Sequence, residues 1–140
     1  MRICTEGAVA PYTNDGINPP RKISGNEKEK FLIENAKEFL TKAKEADADK
    51  AYNSAVTLYF KAIAVLADLF IFRKEGFIPS NHAERFRILE TKYPSLYRIM
   101  DKDFPIYQQS YRLRLGKEYS EVLRKDAEKA IRFTGIEVNA

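Results

Sequence analysis

Cysteine, histidine and tryptophan are almost missing from this chain of 140 residues, which has one Cys, one His and no Trp. The single Cys4 excludes an internal disulfide and suits a reducing, cytoplasmic setting. One Cys and one His leave too few ligands for a closed zinc site, so neither a metal nor a cofactor is expected. The chain does not open on a basic segment followed by an apolar run, which argues against a signal peptide. Charge of one sign is not in excess either. Residues 1–79 hold 12 Lys and Arg against 11 Asp and Glu, and residues 80–140 hold 12 against 9. The net charge of +4 therefore comes without a block-like basic tail for nucleic acid, and leaves a mild attraction to anionic partners. Alternating runs that would signal strands are absent, and so are internal repeats.

What the chain does have is one long apolar stretch, Ala51 to Phe72. Between Ala55 and Phe72 the only charged residues are Lys61 and Asp68. The stretch is about as long as the ~20 residues that cross a bilayer. Lys61 and Asp68 inside it, with Asn53, Ser54 and Thr57 near its start, argue against a membrane span. A helix that is apolar nearly all round must be covered nearly all round. Tyr52, Ala55, Val56, Tyr59, Ile63, Leu66 and Phe70 form one seam, and Leu58, Ala62, Val65, Leu69 and Phe72 a second. In a short chain the second seam points to a second subunit. Thr57, Lys61 and Asp68 make a narrow polar stripe.

Helices are expected on both sides of this stretch. Residues 1–23 carry Gly7, Pro11, Gly16, Pro19 and Pro20 without periodicity and read as an irregular arm. Residues 24–135 read as one helical domain and residues 136–140 as a tail. Ser24 and Glu27 have capping-box spacing, opening a helix to about Ala46 with Leu32, Ala36, Phe39, Leu40 and Ala43 inward. Asp47 to Asp49 then break the pattern and cap the central helix, which Gly76 ends. Ser80 is placed to cap a third helix over residues 81–92, with Phe86, Leu89 and Tyr93 inward, stopped by Pro94. Residues 95–102 suit a short helix. Pro105 suits the first turn of another, with Tyr107, Tyr111 and Leu115 inward. A last helix runs from about Tyr119 to Phe133, with Val122, Leu123, Ala127, Ala130 and Ile131 inward. The expected fold is all-α: an up-and-down four-helix bundle with one additional short helix.

Chemistry concentrates in YRLRLGKEY, Tyr111 to Tyr119. Arg112, Arg114 and Lys117 lie within six residues, beside Tyr111 and Tyr119. Guanidinium forks grip phosphate oxygens, and neighbouring aromatics stack on bases. The bland alternative is a solvated basic helix end, where cations favour the C-terminal dipole. His82, the only histidine, stands at the opening of the third helix, where capping or packing is the ordinary role. A buried Lys61–Asp68 pair is ordinarily structural, and Asp68 is also placed to orient Arg112 if the helices meet.

Over residues 27–134 the chain resembles the HEPN domains (higher eukaryotes and prokaryotes nucleotide-binding) of the stand-alone archaeal and bacterial type. The likeness rests on the Ala- and Tyr-rich second helix, the glycine turn, His82 opening the third helix, and the Arg-rich junction before the last. Many members carry an Arg, four residues, a His, one residue and a Tyr. Here Arg112 and Tyr119 match, and Lys117 stands in place of the His. The resemblance implies a HEPN-like bundle that works as a homodimer with two motifs facing one cleft. Intact motifs imply a metal-independent ribonuclease whose His is the general acid/base and whose Arg steadies the phosphate. Histidine titrates near neutrality, and a lysine does not. Without the His, the expectation is a non-catalytic protein that binds nucleotide or RNA through Arg112, Arg114, Lys117, Tyr111 and Tyr119. It could equally bind a small nucleotidyltransferase, as in toxin–antitoxin pairs. Two alternatives stand beside it. One is an endoribonuclease with a degenerate Arg-x4-Lys-x-Tyr motif, drawing on Arg112, Lys117, Tyr119 and His82. The other is a helical interaction adaptor without a ligand.

Overall fold

A computed structural model of the chain describes residues 22–138. The expected arm over residues 1–23 and Cys4 fall almost wholly outside them. Five helices follow one another: α1 Gly25–Ala48, α2 Tyr52–Glu75, α3 His82–Lys92, α4 Pro94–Gln109 and α5 Lys117–Thr134. The described residues are 79% helical and contain no strand, as an all-α bundle requires.

Side-chain contacts between the helices fix their directions. Arg73, near the end of α2, reaches Glu29 at the start of α1, so these two helices are antiparallel. The same Arg73 donates to the Thr134 carbonyl at the end of α5, so α2 and α5 run the same way. Ser110, just after α4, meets Asn53 and Thr57 at the start of α2, so α4 runs against it. The four long helices thus go up, down, up and down. The short α3 lies beside α2 and runs with it, because Arg85 meets Asp68 while Lys92 and Tyr93 meet Glu75.

Twelve of the 24 residues of α2 are buried, including Phe60, Ile63, Leu66, Leu69 and Ile71. Ala55, Ala62, Ala64 and Ala67 are buried too, and their small side chains let α1 and α5 pack close. Burying each large aliphatic or aromatic side chain contributes about 1.5–3 kcal/mol, so this helix holds the molecule together. Both seams are covered within the single chain: Ala62 and Leu69 of the second are fully buried, and Leu58 and Val65 pack against the core. The argument that this seam needs a second subunit is therefore removed. Tyr52–Glu75 is long and apolar enough to cross a membrane, but two thirds of its most apolar window is buried against the other helices.

Several boundaries depart from the pattern read in the sequence. Ser24 and Glu27 do form the capping box, with both bonds at 3.2 Å. Residues 47–49 do not cap α2. Asp47 and Ala48 complete α1, and Lys50 takes the left-handed conformation, φ 60°, that closes it. Asn81, not Ser80, caps α3, its side chain accepting from the Glu84 amide at 2.9 Å. Pro94 does more than stop α3: it opens α4, where its missing N–H costs nothing. Residues 94–109 are one helix, not a short helix and a separate one from Pro105. Leu96, Ile99, Met100, Asp103 and Tyr107 lie along one buried face, and their continuous burial overrides the break at Pro105. Of the inward residues expected beyond it, Tyr107 and Leu115 are buried but Tyr111 is exposed. On α5, Val122 is exposed, and Ser120, Asp126 and Thr134 are buried instead. Ile136 and Val138, expected in a free tail, pack against the core.

Candidate functional site

The seven residues between α4 and α5 carry Tyr111, Arg112, Leu113 and Arg114, and one side chain at the start of α2 organises them. Asn53 donates from Nδ2 to the Ser110 carbonyl at 2.8 Å and to the Leu113 carbonyl at 2.6 Å. Its Oδ1 accepts from the Leu115 amide at 2.9 Å. A single amide thus supplies two donors and one acceptor to backbone that lacks helical partners. Thr57 Oγ1 lies 3.1 Å from Ser110 Oγ, a second tie to the same loop. Leu115 anchors it from below as a buried core residue. Sequence reasoning missed Asn53, because an Asn near a helix start looks like an ordinary capping residue.

The clamp fixes the backbone and leaves the side chains outward. Tyr111 is 68% exposed and Leu113 55%. Arg112 and Arg114 are exposed and make no ion pair among the described residues. Lys117 opens α5 with its side chain 71% exposed and reaches Glu121 only at 3.9 Å. Next to this loop, a groove of about 530 Å³ lies between the α1–α2 turn and the start of α5. Lys44, Lys50, Lys117 and Arg124 line it, above Asp47 and Tyr59. Asp47 accepts from Tyr59 Oη at 2.7 Å and from the Ser120 hydroxyl, bracing the turn against α2 and α5. Burial and the Asp47 carboxylate push the Tyr59 phenol well above its usual range, so it remains a donor. The extra cations Lys44, Lys50 and Arg124 are far from the motif in sequence, and only the fold gathers them beside it.

His82 is elsewhere. It lies against the aromatic rings of Phe60 and Phe104, with centroids 6.3 and 5.5 Å away. Its Nδ1 is 2.6 Å from Arg85 Nη1, and a guanidinium can only donate, so Nδ1 accepts and the ring proton sits on Nε2. Burial and the Arg85 charge hold this imidazole below its usual value. No hydrogen bond, ion pair or ring contact joins His82 to Arg112, Lys117 or Tyr119 among the described residues.

Asp68 does not orient Arg112. It takes a bidentate pair from Arg85, at 2.6 and 2.9 Å, on the buried side of α2. Burial pushes the Asp68 carboxyl up, and the Arg85 hydrogen bonds and charge oppose that rise. Lys61 is not its partner either: it is exposed and lies over the Tyr107 ring, 5.9 Å from the centroid. Tyr107 stacks on Phe60 at 4.5 Å and accepts from Tyr111 Oη at 2.6 Å. A continuous aromatic run therefore leads from His82 to the clamped loop, through rings rather than through polar groups.

Sequence reasoning also missed a buried acid pair. Asp103 on α4 and Asp126 on α5 are 0% and 1% exposed. Both oxygens of Asp103 lack a hydrogen-bond donor among the described residues. Two carboxylates have no donor between them, and a proton on Asp103 supplies one. Burial, the hydrogen bond to Asp126 and its negative charge push the Asp103 carboxyl up to about 9. Lys102 Nζ stands 2.8 Å and Lys129 Nζ 3.7 Å from the Asp126 carboxylate.

No family model, curated protein or solved structure matches this chain.

Proposed function

We propose that the chain binds RNA or nucleotide phosphates, without cleaving them, through Arg112, Arg114 and Lys117, and that it does so as a homodimer. The observation that carries this reading is the Asn53 clamp. It holds the loop in one conformation while the two guanidiniums on it are exposed, without carboxylate partners among the described residues. Ordering a cation before the ligand arrives lowers the entropy lost on binding. Lys44, Lys50 and Arg124 line the neighbouring groove with Asp47 and Glu121 and add cations beside the loop. Tyr111 and Tyr119, both exposed, offer faces for bases.

Cleavage would need a base at the 2′-hydroxyl. Lysine serves as one when burial disfavours its charge, and Lys117 stands in solvent. His82 is exposed at the start of α3, away from the Arg112 loop, with one nitrogen engaged by Arg85. The dimer reading draws on apolar exposure beside the motif, where Leu113, Tyr119 and Val122 are all at least 36% exposed. A contact there would bring two loops to one cleft.

The test is titration of a fluorescent single-stranded RNA at several salt concentrations, with gel analysis of the RNA afterwards. Binding should weaken with salt, because phosphate contacts release counterions. Replacing Arg112 and Arg114 together with Ala should lower the salt slope by about 1.4, roughly 0.7 for each single-strand phosphate no longer neutralised. RNA fragments that disappear in Arg112→Ala would instead establish a ribonuclease. Absence of binding at every salt concentration would leave a protein adaptor.

A further inference from the structure

A second basic site lies on the opposite side of the bundle from α1, where α4 and α5 meet. Its cavity is about 660 Å³, within the range of small-molecule sites. Arg98 and Lys102 of α4 face Lys129 and Arg132 of α5 across it. Ile99 and Phe133 supply apolar walls, and Phe133 is 41% exposed with its edge against Phe70. Lys102 and Lys129 have an evident structural task, since they neutralise the buried Asp126. Arg98 and Arg132 make no ion pair among the described residues, and Arg98 reaches only Ser95 Oγ, at 3.4 Å. Arg132 complements the dipole at the end of α5, and Arg98, in the second turn of α4, has no such role. With Asp103 carrying its proton, four cations face one anion.

We propose that this groove binds an organic diphosphate, its diphosphate on Arg98 and Arg132 and its organic body against Ile99 and Phe133. Two forked donors suit adjacent phosphate groups, each of which accepts bidentate pairs. A single phosphate monoester, with about 1.5 to 2 negative charges, would leave the site under-neutralised. Lys102 and Lys129, already anchored on Asp126, add field without the cost of being ordered by the ligand. The site is separate from the loop that carries Arg112 and does not depend on RNA binding there.

Calorimetric titration of the full chain with ADP, geranyl diphosphate and inorganic pyrophosphate tests this and separates the two sources of the organic body. At least one organic diphosphate should bind tenfold or more tightly than pyrophosphate. The paired substitution Arg98→Gln and Arg132→Gln should reduce that affinity at least tenfold, and Phe133→Ala should erase the advantage over pyrophosphate. For geranyl diphosphate, which is not a nucleotide, Arg112→Ala with Arg114→Ala should leave the affinity unchanged. Lysine acetylation of the wild-type protein, read by mass spectrometry, gives an arm that needs no variant. Geranyl diphosphate should protect Lys102 and Lys129 and spare Lys44, Lys50 and Lys117. Failure of all three probes to bind, organic diphosphates no tighter than pyrophosphate, or protection at Lys44 and Lys117 instead would each overturn the proposal.

Discussion

Asp103 shows how one buried side chain sets a pH dependence for the whole fold. Its carboxyl is raised from 3.8 to about 9 in the folded protein, so the folded chain keeps a proton that the unfolded chain releases above about pH 4. Stability is fullest below the unfolded value and falls as pH rises, until the folded value is reached. Asp103→Asn keeps the shape and the donor to Asp126 without the titration. The variant should therefore gain on the wild type as pH rises, by several kcal/mol between about pH 5 and 8.5, at ~1.36 kcal/mol per pH unit for one full proton. Urea unfolding at both pH values checks this, and equal differences at the two would show that Asp103 is ionised in the fold. Lys50 makes the opposite point about function. Its φ of 60° suits glycine, and the strain costs about 1–2 kcal/mol. Lys50→Gly should stabilise the protein by about 1 kcal/mol in the same assay and weaken RNA binding, because the cation leaves the groove with the strain. A variant that is more stable and binds RNA as before would remove Lys50 from the site.

At the scale of elements, α4 carries a residue that works against it. Pro105 has no N–H for the Asp101 carbonyl, and an interior proline costs a helix ~3 kcal/mol, part of which the stiffer unfolded chain returns. Pro105→Ala should raise stability by about 1–2 kcal/mol by urea unfolding and leave RNA affinity unchanged; a loss would mean that the ring packs where the helix needs it. The same proline explains what the sequence concealed here. A local rule says that helices start at proline, but the apolar face through Leu96, Met100 and Tyr107 is continuous, and burial outweighs one missing hydrogen bond. The Ser24 box, the glycines after α2 and α5 and the apolar centre of α2 were legible because each is a local or strongly periodic signal. The site was half legible. Arg112, Arg114, Lys117, Tyr111 and Tyr119 lie together in sequence, so they were readable as a group. The Asn53 clamp, the Asp68–Arg85 pair and the Asp103–Asp126 pair span 17 to 62 residues, and no spacing rule joins them. Asn53→Ala removes three hydrogen bonds to the backbone of the loop. Faster amide exchange from Ser110 to Leu115 and weaker RNA binding should appear together, whereas Arg112→Ala should weaken binding without changing exchange.

For the whole molecule, the arrangement of helices decides which surface is left for a partner. Both apolar seams of α2 are covered within the chain, so they need no second copy to bury them. The exposed apolar residues near the motif are Tyr111, Leu113, Tyr119 and Val122, at the end of the bundle where α4 passes into α5. Cations in the same region, Arg112, Arg114 and Lys117, repel their counterparts in a second copy, and that repulsion falls as salt screens it. A bound phosphate chain between the copies would offset it at low salt. Dimerisation and RNA binding should therefore support each other through one surface. Sedimentation velocity should show a monomer–dimer equilibrium shifted to dimer by added single-stranded RNA. Leu113→Asp, on an exposed position with no core role, should leave the folded helical signal and melting temperature within error of the wild type while abolishing the dimer. RNA affinity should fall with it by tenfold or more, because two basic loops no longer share one strand. A chain that is monomeric with and without RNA, or a monomeric Leu113→Asp that binds RNA as tightly as the wild type, would place recognition in the single subunit and remove the dimer from the proposed function.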